Sequence, residues 1–235
     1  MTYPGNPETL GHLPSWRRPL AVVAHPDDES FGLGAILASF VHAGSAATVL
    51  CFTHGEASTL HGVDGDLREV RAGELSAAAA LLGLRTVALG DEPDGALGAQ
   101  DRDRLAKYVI DVARDNDADG LLVFDPNGVT GHPDHRAATS AAVAAAAELD
   151  LPVLAWVLPV AVTEALRNEY GVDFHGRTSA EIDLAIPVNR ERQLRAVAAH
   201  PSQAVPGSVL WRRLELLGEL EYLTFVSTVP HEVGD

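Results

Sequence analysis

The sequence predicts an α/β protein with a mostly parallel sheet and helices on both faces. Three observations carry that expectation. Short apolar runs of strand length alternate with helix-patterned stretches between residues 20 and 158. The tail continues with weaker strand and helix patterns and no interdomain linker. Histidines and carboxylates gather just past the ends of the apolar runs, the rim where open α/β sheets bind ligands.

The elements follow in order. Residues 1–18 form a polar arm with Pro4, Pro7 and Pro14 and are expected to be irregular. Residues 20–24 read as a buried strand, and 30–43 as a helix stopped by Gly44. Residues 46–53 are a second strand, followed by a Gly- and Asp-rich loop over 57–66. A helix is expected over 67–82 with Gly83 at its end, then a strand over 86–89 and a turn over 90–95. Residues 100–116 place Leu105, Val109, Ile110 and Val112 on one face of a helix. A strand over 121–124, a helix over 133–149 and a strand over 153–158 come next. In the tail, 182–188 suits a strand, 190–199 a helix and 221–226 a last strand. With no internal repeat, residues 19–235 read as a single domain.

Composition narrows the partners. The chain has 235 residues, enough for one sizeable α/β core. Its net charge is −16, from 33 acids against 17 bases, which argues against a phosphate-backbone partner. Cys51 is the single cysteine, so an intrachain disulfide and a multi-cysteine zinc site are both excluded. The N-terminus shows no signal-peptide core, and no apolar run approaches the ~20 residues of a membrane helix. A soluble, cytoplasmic protein is expected.

Two turns carry the chemistry. Ala24-His25-Pro26-Asp27-Asp28-Glu29 joins the first strand to the first helix. Gly131-His132-Pro133-Asp134-His135 lies in the same context after the strand 121–124. His25 and Asp28 are three residues apart across a turn, so both side chains can reach one point, and imidazole and carboxylate are good Zn²⁺ ligands. His135 is the best-placed third ligand. Three protein ligands leave a fourth position for water, whose pKa Zn²⁺ lowers to about 7 while it polarises a carbonyl. Asp27, beside the ligands, suits a base. Acids and a proline at a helix start also have a purely structural use. That use does not explain a histidine before both prolines, nor the second histidine of the second turn.

These residues resemble the LmbE-like, or PIG-L, family of zinc-dependent de-N-acetylases. The resemblance extends to Gly55-Glu56, to Arg71-Ala72-Gly73-Glu74, to Asp94-Gly95, to Asp125-Pro126-Asn127-Gly128 and to His200-Pro201-Ser202-Gln203. It implies a Rossmann-like fold and one zinc ion on His25, Asp28 and His135, with other divalent metals also accepted by such ligands. It further implies Asp27 as general base, and His132, oriented by Asp134, as electrophile and general acid. The implied substrate is a small N-acetylglucosamine-type conjugate, with Arg71, Asp94 and His200 near the sugar. Close members often carry an aromatic residue where this chain has Thr130, so His132 is expected to carry more of the oxyanion here.

The other histidines, His12, His42, His61, His175 and His231, are expected on the surface or in loops, and His54 at the rim. Trp16, Trp156 and Trp211 are expected as core or interface anchors. Two alternatives remain. One is a metal-dependent amidase acting on another amide, such as a thiol conjugate. The other is a nucleotide-binding module without catalysis, against which Gly32-Leu33-Gly34 lies too far past the strand end for a dinucleotide loop. Homo-oligomerisation is left open.

Overall fold

The computed structural model describes residues 11–60 and 65–227. Pro4, Pro7, His61 and His231 therefore lie outside the described residues. The strands are β1 (Pro19–Val23), β2 (Thr48–Thr53), β3 (Thr86–Glu92), β4 (Gly120–Phe124), β5 (Val153–Pro159), β6 (Gly176–Arg177), β7 (Leu184–Pro187) and β8 (Leu220–Val226). The helices are α1 (Asp28–Phe31), α2 (Gly34–His42), α3 (Leu67–Leu82), α4 (Arg102–Asp115), α5 (Pro133–Leu149), α6 (Val160–Tyr170), α7 (Glu191–Ala198) and α8 (Val209–Leu217).

The sheet runs in the order β3-β2-β1-β4-β5-β8-β7, with the short β6 beside β5. β3 through β5 are parallel; β8 is antiparallel to both β5 and β7. Every residue of β1, β2, β4 and β5 is buried, which explains their unbroken apolar sequences. The edge strand β3 is mostly half-exposed. Helix groups flank the sheet: α4 packs on α5, α2 and α3 pack on α7, and α6 packs on α8. β1 sits between β2 and β4, so chain order reverses there. That switch point brings the ends of β1 and β4 side by side.

Several expectations shift in detail. The helix expected over 30–43 is two helices, because Asp28 turns the chain early. Its Oδ2 accepts the amides of Ala24 and His25. The break falls at Gly32, where a Cβ would stand 2.5 Å from the Phe124 ring. β3 runs on to Glu92, its pairing with β2 shifting register between Cys51 and Thr53. Two helices had not been anticipated. α6 starts directly on Pro159 and stops at left-handed Gly171, and α8 follows Ser208 and stops at Gly218. Ahead of β1, residues 11–16 have no regular structure, yet Trp16 is buried and stacks on Phe40 at 5.8 Å.

Candidate functional site

The first turn is built by a strained backbone. Asp27 caps α1 with φ of 109°, a left-handed conformation that side chains rarely adopt. Its amide donates to Glu29 Oε2 at 2.9 Å. Arg71 of α3 donates to the carbonyls of Pro26 and Gly55 and sits 3.2 Å from the Asp27 carboxylate. Gly55 has φ of 66°, and a Cβ there would lie 2.0 Å from the Arg71 guanidinium. Glycine is therefore required where Arg71 ties the ends of β1 and β2 together.

The second turn is built differently. His132 caps α5, its Nδ1 accepting the Asp134 amide at 3.2 Å, and Pro133 opens the helix. Just before it, Val129 has φ of 55°, an outlier for a β-branched residue. Strain of this kind concentrates at functional sites.

Side chains from the two turns converge. His25 Nδ1 is 3.3 Å from His135 Nε2 and 3.6 Å from Asp28 Oδ2. His135 Nε2 is 3.2 Å from Asp28 Oδ1. Ligands 2.0–2.1 Å from a tetrahedral zinc ion stand about 3.3 Å apart, so these three donors have the spacing of one coordination shell. The far nitrogens fix the tautomers. His25 Nε2 lies 3.0 Å from Asp94 Oδ1 and 3.4 Å from Asp134 Oδ2, and His135 Nδ1 lies 3.2 Å from the Gly128 carbonyl. Protons on those nitrogens leave lone pairs on His25 Nδ1 and His135 Nε2, facing the common point. Carboxylate and carbonyl partners of this kind accompany metal-bound imidazoles.

Two other groupings could hold a cation: His25, His132 and His135, or His25, Asp94 and Asp134. Both have competing commitments. His132 Nδ1 is taken by a backbone amide. Asp94 accepts the Ala57 amide, and Asp134 accepts the amides of Gly95 and Leu97.

The electrostatics agree with a cation site. Burial opposes charge on His25, yet the hydrogen bonds it donates to Asp134, Asp28 and Asp94 outweigh it and push the imidazole up to about 12. Burial likewise opposes charge on Asp28, and the His135 and His25 rings hold it well below the usual carboxylate range. Positive charge is strongly favoured at this point, and a metal ion would supply it in place of protons. Asp27 differs. Burial raises it to about 6, against the pull of Arg71.

The expectation for Asp134 needs correction. Its carboxylate turns away from the His132 ring to His25 and the loop amides of Gly95 and Leu97. Nor is His132 held protonated. Burial and the neighbouring His25 and His135 rings lower its pKa. With Nδ1 accepting a hydrogen bond, the proton of the neutral ring sits on Nε2.

A cleft of about 410 Å³ opens on this cluster. His25, Asp27, Asp28, His132, His135, Arg71, Asp94 and Thr130 all line it. Both terminal nitrogens of the Arg71 guanidinium are nevertheless engaged by backbone carbonyls and Asp27, and only its Nε is without a partner. His200 is misplaced by the sequence reading. It is fully buried and does not line the cleft. Its Nε2 pairs with Glu29 Oε1 at 2.7 Å, and Glu74 accepts the amide and hydroxyl of Ser202 at 2.9 and 2.6 Å. The late His-Pro-Ser-Gln segment thus buttresses the first turn, and its Gln203 reaches the cleft. His54 pairs with Asp91 at 3.1 Å, outside the cleft lining. His12, His42 and His175 are exposed. Trp16 and Trp156 are buried, but Trp156 also lines the cleft. Arg213 and Phe31 were not anticipated as cleft residues; α8 had no place in the expected fold.

Residues 20–146 match the family described as PIG-L: GlcNAc-PI de-N-acetylase. A 1D-myo-inositol 2-acetamido-2-deoxy-alpha-D-glucopyranoside deacetylase of Nakamurella multipartita is 30% identical over 276 aligned positions, covering 92% of each chain. Matches to two other relatives of that description span only 45% and 53% of their length. An N,N'-diacetylchitobiose deacetylase from Pyrococcus horikoshii superposes with a TM-score of 0.69 at 18% identity, covering 93% of this chain and 86% of that one. A 4-carboxy-2-hydroxymuconate hydratase from Pseudomonas putida superposes with a TM-score of 0.66 at 20% identity, covering 93% and 99%. At such identities the structural likeness shows the fold alone, and this fold carries more than one chemistry. Profile and full-length relative agree: the chain belongs to the PIG-L, or LmbE-like, family.

Proposed function

We propose that this chain is a divalent-metal N-deacetylase acting on a small N-acetylglucosamine-type conjugate, and that residues 19–235 work as one domain. The observation that carries the reading is the convergence of His25 Nδ1, His135 Nε2 and the Asp28 carboxylate beside a cleft. Asp27 and His132 face that cleft without joining the three donors. The deacetylase description of the full-length relative supports it.

His25, Asp28 and His135 would hold the ion, with Asp94 and Asp134 orienting His25. Bound there, a zinc ion supplies Lewis acidity toward a water and a carbonyl oxygen. Asp27 is the base. Its carboxyl sits at the cleft wall, and a pKa near 6 leaves it ionised at neutral pH yet able to take a proton. Arg71 fixes its position. His132 is the electrophile, presenting a neutral Nε2–H toward the carbonyl oxygen as negative charge develops there; preorganised donors of this kind are worth about 2.7–4 kcal/mol. Asp27, once protonated, is in the same cleft wall and can return its proton to the leaving amine.

The test is metal analysis of the purified protein together with acetate release from a panel of N-acetylated amino-sugar conjugates. Acetate release that requires the bound metal supports the reading. Turnover of an unrelated amide, or hydration of a carbon–carbon double bond, with no acetate from any sugar, would overturn it. No helix among the described residues is long and apolar enough to cross a membrane.

A further inference from the structure

Arg213 lies in the cleft wall and is used for nothing the proposed reaction needs. It comes from α8, far in sequence from both histidine turns, and is only 3% exposed. Its guanidinium carbon stands 4.9 Å over the Trp156 ring. Trp156, Phe31, Phe124 and Leu210 line the same cleft, with Phe31 hydrogen-bonded to Arg213 through its carbonyl and Phe124 against Trp156. A cation in such apolar company is expensive unless a counter-charge meets it.

Among the described residues no carboxylate meets it at hydrogen-bond distance; Glu221, Asp28 and Asp27 act on its charge only from further away. Among the described residues, Arg213 makes one hydrogen bond, from Nη2 to the Phe31 carbonyl. Its Nε is buried without a partner. No carboxylate forms an ion pair with it among those residues. Glu221, which draws on its charge from a distance, is already engaged by Trp156 Nε1 at 2.7 Å and Arg190 Nη1 at 2.5 Å. An arginine kept only to staple Phe31 and cover Trp156 would have no reason to stand at a cavity wall with its Nε unpaired. A guanidinium fork is suited to a bidentate oxyanion.

We propose that Arg213 is the receptor for an anionic group of the substrate, a carboxylate or a phosphate, docked in the aromatic part of the cleft while the reacting amide lies at His25, Asp28 and His135. The inference rests on the deacetylase reading for the place of the amide but not for the anion site itself. The anion can belong to the group linked to the sugar or to the far end of the acyl chain, and both present the same chemistry to Arg213. Specificity of this sort is strong because an uncharged analogue leaves the buried donors unpaired.

Three probes of similar size decide it. They are N-acetylglucosamine linked to glycerol, N-acetylglucosamine linked to glycerate, and the glycerol conjugate bearing N-succinyl in place of N-acetyl. Calorimetric affinity and acid release are measured for wild type, Arg213→Met and Arg213→Lys. Wild type is expected to bind one of the two anionic probes at least about tenfold tighter than the neutral one, as a desolvated charge pair warrants. Which probe gains identifies the source of the anion. Arg213→Met should collapse that ratio to near one, and Arg213→Lys should keep part of it. The ratio is read within one preparation, so a lower folded fraction cancels. Equal binding of all three probes by wild type overturns the proposal, as does a preference that survives in Arg213→Met. Release of acetate with no anion preference sinks Arg213 alone. An anion preference lost in Arg213→Met, with no acid released from any probe, leaves the Arg213 site standing and removes the deacetylase reading.

Discussion

The two turns share the tripeptide His-Pro-Asp, and the fold puts it to opposite uses. In the first, His25 stands two residues past the buried strand β1, and its ring is held between Asp28 on one side and Asp94 and Asp134 on the other. In the second, His132 is a half-buried helix cap whose Nδ1 accepts a backbone amide. Asp27 faces the cleft and Arg71, whereas Asp134 turns inward and serves the histidine of the other turn. The backbone makes the difference. Asp27 is left-handed, so α1 begins only at Asp28, two positions later in the motif than α5, which follows the extended His132 and begins at Pro133. A motif repeated in sequence therefore need not repeat its chemistry.

The sharpest way to break this contrast is to remove metal donors from each turn. Asp28→Ala and His135→Ala should each lose stoichiometric metal, weakening affinity by more than the 10- to 100-fold typical of an outer partner. His132→Ala should retain it. Metal analysis after dialysis reads the result, and an equal loss in His132→Ala would make the two histidine-proline pairs equivalent after all.

Next in size is the base. Asp27→Asn should keep its metal and lose about 10²–10⁴ in kcat. An unchanged kcat would move proton transfer to another cleft residue. His132→Ala should then cost at least about 10² in kcat at full metal occupancy, and Thr130→Val should cost little. A severe Thr130→Val with a mild His132→Ala would place the oxyanion on the hydroxyl instead.

A smaller effect tests the exchange between turns. Asp134→Asn should weaken metal binding about 10- to 100-fold through His25, without the large loss in kcat that an acid beside His132 would show once metal is saturating. The smallest effect concerns the prop beneath the first turn. Burial opposes charge on His200, but Glu29 outweighs it and raises its pKa. A raised folded value means the pair's stabilisation is complete below the unfolded histidine pKa of about 6.5 and fades as pH climbs through the folded value. Melting temperature should therefore fall by a few degrees on the alkaline side, since ~1 kcal/mol moves a chain of this size about 2–4 °C. His200→Gln should flatten that slope, and a slope unchanged in the variant would acquit the pair.

Much of this was legible in the residues. The unbroken apolar strands, α3 and α5 were readable because burial on both faces and capping chemistry leave local marks. The meeting of the two turns was readable because parallel strands with helical crossovers put their ends on one rim. Roles that depend on where a side chain turns were not. Nothing in the spacing of Asp134 says that its carboxylate crosses to His25, or that His200 points beneath the site. α8 was missed although Ser208 and Gly218 bracket it, and with it went Arg213. A charged residue on a short helix reads as a solvated face until tertiary packing buries it.

The distance in sequence between His25 and His135 has a consequence for folding. The donors meet only after β1 and β4 pair, 110 residues apart along the chain. The unfolded protein thus has no preformed site, and a metal held there would be a ligand of the native state alone. At one hundred times its dissociation constant, such a ligand adds about 2.7 kcal/mol to the free energy of unfolding. A chelator would then lower the denaturant midpoint of the wild-type chain while leaving that of Asp28→Ala where it was, which makes the central strand pair's integrity measurable without any substrate.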